Sequence, residues 1–191
     1  MPKIVDHDRQ REHLLDACFR LFTEQGYAAA TMRRVAESAG VSTGTLYHYF
    51  PDKRAMLSGL FDLWTHRDTE RLRTTLPARA TVPVRLRVLL RFFADDVEHF
   101  RALLRLVLEV HRHEPERRDE LRAAVAQYRA AVGEVLGVHG AAEHLVFSYL
   151  LGVLVQGLVD PASEDLAAQE DLVQAAWAHL APLVAGGVLP G

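Results

Sequence analysis

Residues 31–53, TMRRVAESAGVSTGTLYHYFPDK, limit what this chain can fold into more than any other stretch. The first half reads as a short helix over Thr31–Ala39, with Thr31 as its cap and Met32, Val35, Ala36 and Ala39 as its apolar stripe. Gly40 suits a tight turn that needs positive φ, and Val41 follows as a hydrophobic plug. Ser42 can cap a second short helix, Ser42–Phe50, with Leu46, Tyr47 and Phe50 available to pack inward. Pro51-Asp52 closes it, because a residue before proline avoids the α region, and Asp52 can cap the next helix. Two helices joined by so short a turn form the unit that sets its second helix into a DNA major groove.

The rest of the chain reads as helix throughout. A first helix over Arg9–Gln25 buries Leu14, Leu15, Cys18, Phe19 and Phe22, and Gly26 ends it with Tyr27 packing back on its end. Residues 1–8 read as frayed. A long helix from Lys53 to Thr75 turns Leu57, Leu60, Phe61 and Trp64 inward. Further helices follow from Thr81, over His99–His111, from Pro115 to Leu136, over Ala142–Leu158 and over Asp165–Val184. The pattern predicts an all-α chain: a three-helix helix-turn-helix domain over 1–52, and a helical bundle for ligand binding and dimerisation over 53–191.

Composition narrows the classes. Hydrophobic residues make up 49% of the 191, which places the chain among folded proteins. Net charge is −3, yet the first sixty residues hold eight Lys/Arg against seven Asp/Glu, and the remainder fourteen against eighteen. Any nucleic-acid face must therefore be local. Cys18 is the sole cysteine and reads as a buried small hydrophobe. The polar N-terminus and the shortness of the apolar run Phe147–Val159 predict a cytoplasmic protein that spans no membrane. Glu109, His111, His113 and Glu114 hint at a metal, but adjacent residues face different ways, so the reading is a charged helix end and no metal or other cofactor. No nucleophile–base pair, nucleotide-binding glycine loop or metalloprotease motif is present, which argues against an enzyme.

The residues from Phe22 to Leu57 resemble the N-terminal domain of the tetracycline-repressor (TetR) family. The family pattern is carried by Phe22, Gly26-Tyr27, Thr31, Val35-Ala36, Ala39-Gly40-Val41, Thr45-Leu46-Tyr47, Phe50, Lys53 and Leu57. The resemblance implies base contacts from Thr43, Gly44, Thr45 and Tyr49, and phosphate contacts from Thr31, Tyr47 and Lys53. The residues themselves add Ser42, whose helix start can approach phosphate, and Arg34 and His48 at the groove edge, with Arg33 and Arg54 as further cations. Thr43 and Gly44 are small, so direct base readout is modest and DNA shape contributes.

The resemblance further implies a homodimeric repressor on double-stranded DNA, one domain per half of a palindromic operator, released by a small-molecule effector. A largely apolar effector site is expected among Phe61, Trp64, Phe93, Phe100, Leu104, Leu108, Tyr128 and Phe147, with Arg105 and Gln156 as polar contacts. Phe92 and Leu151 are further candidates for its wall, and Glu109, His111 and Tyr149 for its polar contacts. The dimer face is expected on the last two helices, at Leu151, Gly152, Val155, Val159, Val173, Trp177 and Leu180. The alternative is an effector-independent DNA-binding protein controlled by a protein partner.

Overall fold

A computed structural model of the chain describes residues 3–159 and Ala178. Among the described residues there are eight α-helices and no strand. They are α1 (Lys3–Gln25), α2 (Met32–Ser38), α3 (Thr43–Tyr49), α4 (Lys53–Thr75), α5 (Val82–Asp95), α6 (Val97–His113), α7 (Arg118–Leu136) and α8 (Ala141–Val159). A 3-10 turn over Pro115–Arg117 leads into α7. The expected final helix, with Val173, Trp177 and Leu180, lies outside the described residues apart from Ala178.

Several boundaries differ from expectation. α1 begins at Lys3, six residues before the predicted start, and the ring of His7 lies 4.5 Å from that of Tyr49. Residues 3–8 contain no helix breaker, and this ring contact ties the first turns to α3. α6 runs two residues further at each end than predicted, over Val97–His113 instead of His99–His111. Its break comes at Pro115, which forms the 3-10 turn, so α7 starts at Arg118.

Packing divides the chain into two compact units, Met1–His66 with Ala102–Ala124, and Arg67–Arg101 with Val125–Gly191. The division does not fall at the boundary expected between 52 and 53, and α4, α6 and α7 each contribute to both units. The reason lies in the apolar cluster of the first unit. Leu14, Leu15, Cys18 and Phe22 of α1 meet Val35 and Ala36 of α2, Leu46 and Phe50 of the α3 end, and Leu57, Leu60 and Trp64 of α4. Leu106 and Val110 of α6 belong to the same cluster, so a three-helix domain is supplemented by later chain. In the second unit Leu72, Leu86, Leu89, Leu90, Phe92, Phe93, Phe100, Val132, Val135 and Leu150 are buried.

Candidate nucleic-acid interface

The turn between α2 and α3 is built as its residues dictate. Thr31 is extended (φ −114°, ψ 157°), and its hydroxyl accepts from Arg34 N–H at 3.3 Å. α2 ends as Gly40 N–H donates to Glu37 O and Val41 N–H to Ala36 O. Gly40 has φ +67°, the left-handed region that a side chain disfavours. Val41 packs on the core as a plug. Ser42 then caps α3, its hydroxyl accepting from Thr45 N–H at 3.0 Å and sharing a hydrogen bond with Thr45 Oγ1 at 2.8 Å.

α3 is anchored by one buried residue within it, Leu46, and by Phe50 at its C-cap. The expectation that Tyr47 also packs inward is corrected: it is 51% exposed. Leu46 and Phe50 stand four residues apart and share the buried face, and Tyr47, a step of about 100° from Leu46, lies at its edge and turns outward. Tyr49 is half-buried instead and leans on the core and on His7. Ser42, Thr43, Gly44, Thr45, Tyr47 and His48 are therefore all exposed. Thr31 and Arg34 of the preceding helix are exposed too. Arg34 Nη1 reaches Ala29 O at 3.4 Å, a long bond that leaves most of its donors available, whereas Arg33 pairs with Glu37 at 2.9 Å.

Lys53 is set differently. It is half-buried, and its ammonium donates to Tyr27 O at 2.9 Å and Ala30 O at 3.3 Å while standing 3.8 Å from the centre of the Tyr27 ring. Burial holds its pKa below the ordinary lysine value, with the charge of Glu114 acting in the other direction. Two of the three N–H groups of the ammonium are thus given to backbone carbonyls, beside the ring face. Arg54, a further expected cation, is paired with Glu120.

Residues 14–60 match the model of the bacterial regulatory proteins, tetR family, and that span contains the capped turn, Leu46 and Lys53. This segment is a tetR-family domain. Among relatives of the chain, the transcriptional regulator PksA of Bacillus subtilis is 30% identical over 105 residues, 54% of this chain and 51% of PksA. The transcriptional repressor Rv1474c of Mycobacterium tuberculosis is 40% identical over 74 residues, 38% of this chain and 37% of that repressor. The chain thus spans about half or less of the curated relatives it matches. The fold is similar to that of the fatty acid degradation regulator FadR of Bacillus halodurans, with TM-score 0.68 at 23% identity over 87% of this chain and 93% of that one. A FadR structure from Bacillus subtilis in complex with stearoyl-CoA gives TM-score 0.68 at 20% identity, covering 86% and 95%.

The residues expected to line an effector site fall in both compact units. In the first, Trp64 is buried against Phe19 with ring centres 3.8 Å apart, and Phe61 packs on the same core. Leu104 is half-buried, while Arg105 and Leu108 are exposed. In the second, Phe93 stacks on Phe100 at 4.0 Å with Phe92 beside both. Tyr128 and Phe147 lie 6.3 Å apart. Gln156 is exposed.

The sequence reading missed Asp68, which is 3% exposed. Tyr128 donates its hydroxyl to Asp68 Oδ2 at 3.1 Å, and His99 Nε2 stands 3.7 Å from the same oxygen. Burial, and then the Asp68 carboxylate, drive the Tyr128 phenol well above its ordinary pKa. The signal was present: Leu57, Leu60, Trp64, Asp68 and Leu72 follow helical spacing, so Asp68 sits on an apolar stripe. An open groove of about 410 Å³ lies in this unit against Arg71, Arg91, Phe92 and Asp95, and of the expected effector residues Phe92 alone lines it. Among the described residues no group of His, Cys, Asp and Glu is placed to hold a metal.

On α8 the expected dimer residues Gly152, Val155 and Val159 are exposed and Leu151 is half-buried. Val155 is 47% and Val159 82% exposed, with Leu145 and Leu158 also open. Among the described residues no single helix is long and apolar enough to cross a membrane.

Proposed function

We propose that this chain is a homodimeric, DNA-binding transcriptional regulator, acting as a repressor that a small, largely apolar ligand releases from a palindromic operator. One observation carries the DNA part: the capped face of α3, with Ser42, Thr43, Gly44, Thr45, Tyr47 and His48, points away from the core that Leu46 and Phe50 join. Short side chains at the N-terminal end let the backbone approach a groove, and threonine methyls suit thymine methyls. Tyr47, Arg34, Thr31 and the remaining N–H of Lys53 serve the phosphates, which position the helix without reading sequence.

Pairing of two copies is supported by the open apolar row Leu145, Gly152, Val155 and Val159, whose steps of seven, three and four residues keep it on one face of α8. An effector is supported by the aromatic groups Phe92, Phe93 and Phe100 and Tyr128 with Phe147, beside one buried carboxylate. Effector binding shifts the population toward a state in which the two recognition helices are wrongly spaced for successive major grooves, about 34–36 Å apart. A domain boundary at residue 52 remains the functional one in this reading, with α4 as the connection.

Selection of bound duplexes from a random pool tests this directly. A two-fold symmetric motif is the expected product, and a metabolite and acyl-thioester screen against that duplex should then yield a releasing compound. A chain that enriches no motif at low salt refutes the DNA reading. Enrichment with no releasing compound turns the choice to control by a protein partner.

A further inference from the structure

The corner between α1 and α2 is held by residues more than eighty positions further along the chain. Tyr27 N–H donates to Glu109 Oε2 at 2.6 Å, and the same carboxylate lies against Gly26, which has φ +83°. Tyr27 is 1% exposed, and its hydroxyl donates to Glu114 Oε1 at 2.7 Å. Arg117 closes the arrangement: Nη1 donates to Tyr27 Oη at 3.3 Å and to Glu114 Oε2 at 3.1 Å, while Nε and Nη2 donate to Glu120 Oε2 at 3.1 and 3.0 Å. Every one of these residues belongs to the first compact unit.

Tyr27 also seats Lys53, offering both its carbonyl and its ring face to the ammonium. A lysine side chain has four rotatable bonds, and at a phosphate its rotamer entropy opposes binding unless its reach is fixed beforehand. Tyr27 supplies that constraint, and Glu109, Glu114 and Arg117 fix Tyr27. Removing only the hydroxyl therefore loosens the seat while leaving ring and carbonyl in place.

We propose that Tyr27 is a positioning residue for DNA binding, fixing the ammonium of Lys53 beside the helix-turn-helix and itself fixed by Glu109, Glu114 and Arg117 from the end of α6 and the turn after it. The proposal rests on the DNA-binding reading above. It makes the end of α6 a determinant of operator affinity although none of its residues is placed on the duplex.

The test is a double-mutant cycle on the full chain, with affinity for the selected duplex measured across a salt series. Lys53→Ala alone should lower affinity about tenfold and reduce the salt slope by about one unit. Tyr27→Phe and Glu114→Gln should each lower affinity about threefold to tenfold, and Lys53→Ala made on either background should cost less than half its wild-type factor. Tyr27→Phe keeps the shape of the core, and helical circular dichroism confirms that each variant is folded. Arg122→Ala, at an exposed pair with Asp119, is the surface control. If Lys53→Ala costs the same factor in all backgrounds, Tyr27 only stabilises the fold and the proposal is overturned while the DNA reading stands. A wild-type chain that binds no duplex overturns both.

Discussion

Arg117 shows how much one buried side chain can hold together. It is 5% exposed and serves Tyr27, Glu114 and Glu120 at once. Arg117→Met removes the cation and leaves Glu114 and the Tyr27 hydroxyl with one partner fewer each. Because both glutamates are partly solvated, the expected loss is about 2 kcal/mol rather than the full cost of an isolated buried charge, read from denaturant unfolding. Glu114 gives a pH signature. Burial alone would raise its pKa, but the Tyr27 and Arg117 hydrogen bonds and the Arg117 and Lys53 charges hold it below its ordinary 4.5. A depressed carboxylate stabilises the fold above its unfolded pKa, and the contribution is lost as pH falls through the folded value. Stability should decline below about pH 4.5 for this reason, and Glu114→Gln should flatten that limb of the pH–stability curve.

At the scale of the element, α3 separates folding from binding. Leu46 and Phe50 hold it, and Tyr47 contributes little to the core because half of it is open. Tyr47→Ala is therefore expected to change stability by less than about 0.5 kcal/mol, while weakening binding to any duplex. A matching loss of stability would place Tyr47 in the core. Ser42→Ala removes the cap bond to Thr45 N–H and should cost about 1 kcal/mol in unfolding experiments. Most of this element was legible in the residues. Thr31 and Ser42 as caps, positive φ at Gly40, Val41 as a plug and Asp52 capping α4 through Ala55 N–H all stand in the structure. Each depends on neighbours within a few positions, which is why local pattern suffices. The orientation of Tyr47 was misjudged because an aromatic residue beside an apolar one carries no mark of which way the helix is turned.

At the scale of the whole molecule, the proposed pairing of two copies is what a variant can test. The exposed apolar row on α8 predicts that Val155→Glu shifts the chain toward monomer in sedimentation equilibrium and weakens binding to a two-fold symmetric duplex more than to a half-site. An unchanged mass would remove that row from the dimer face.

The helices of the described residues, the turn chemistry and the tetR-family pattern could be read from sequence because periodicity, caps and glycine φ act within one or two turns of chain. The clamp of Glu109, Glu114 and Arg117 on Tyr27, and the buried pairing of Tyr128 with Asp68, could not, because their partners lie 60 to 90 residues apart. A charged residue in a helix looks the same in sequence whether its partner is water or a hydroxyl from a distant corner. Only the packing of α6 and α7 against earlier chain settles which, by removing the water that would otherwise have been the partner.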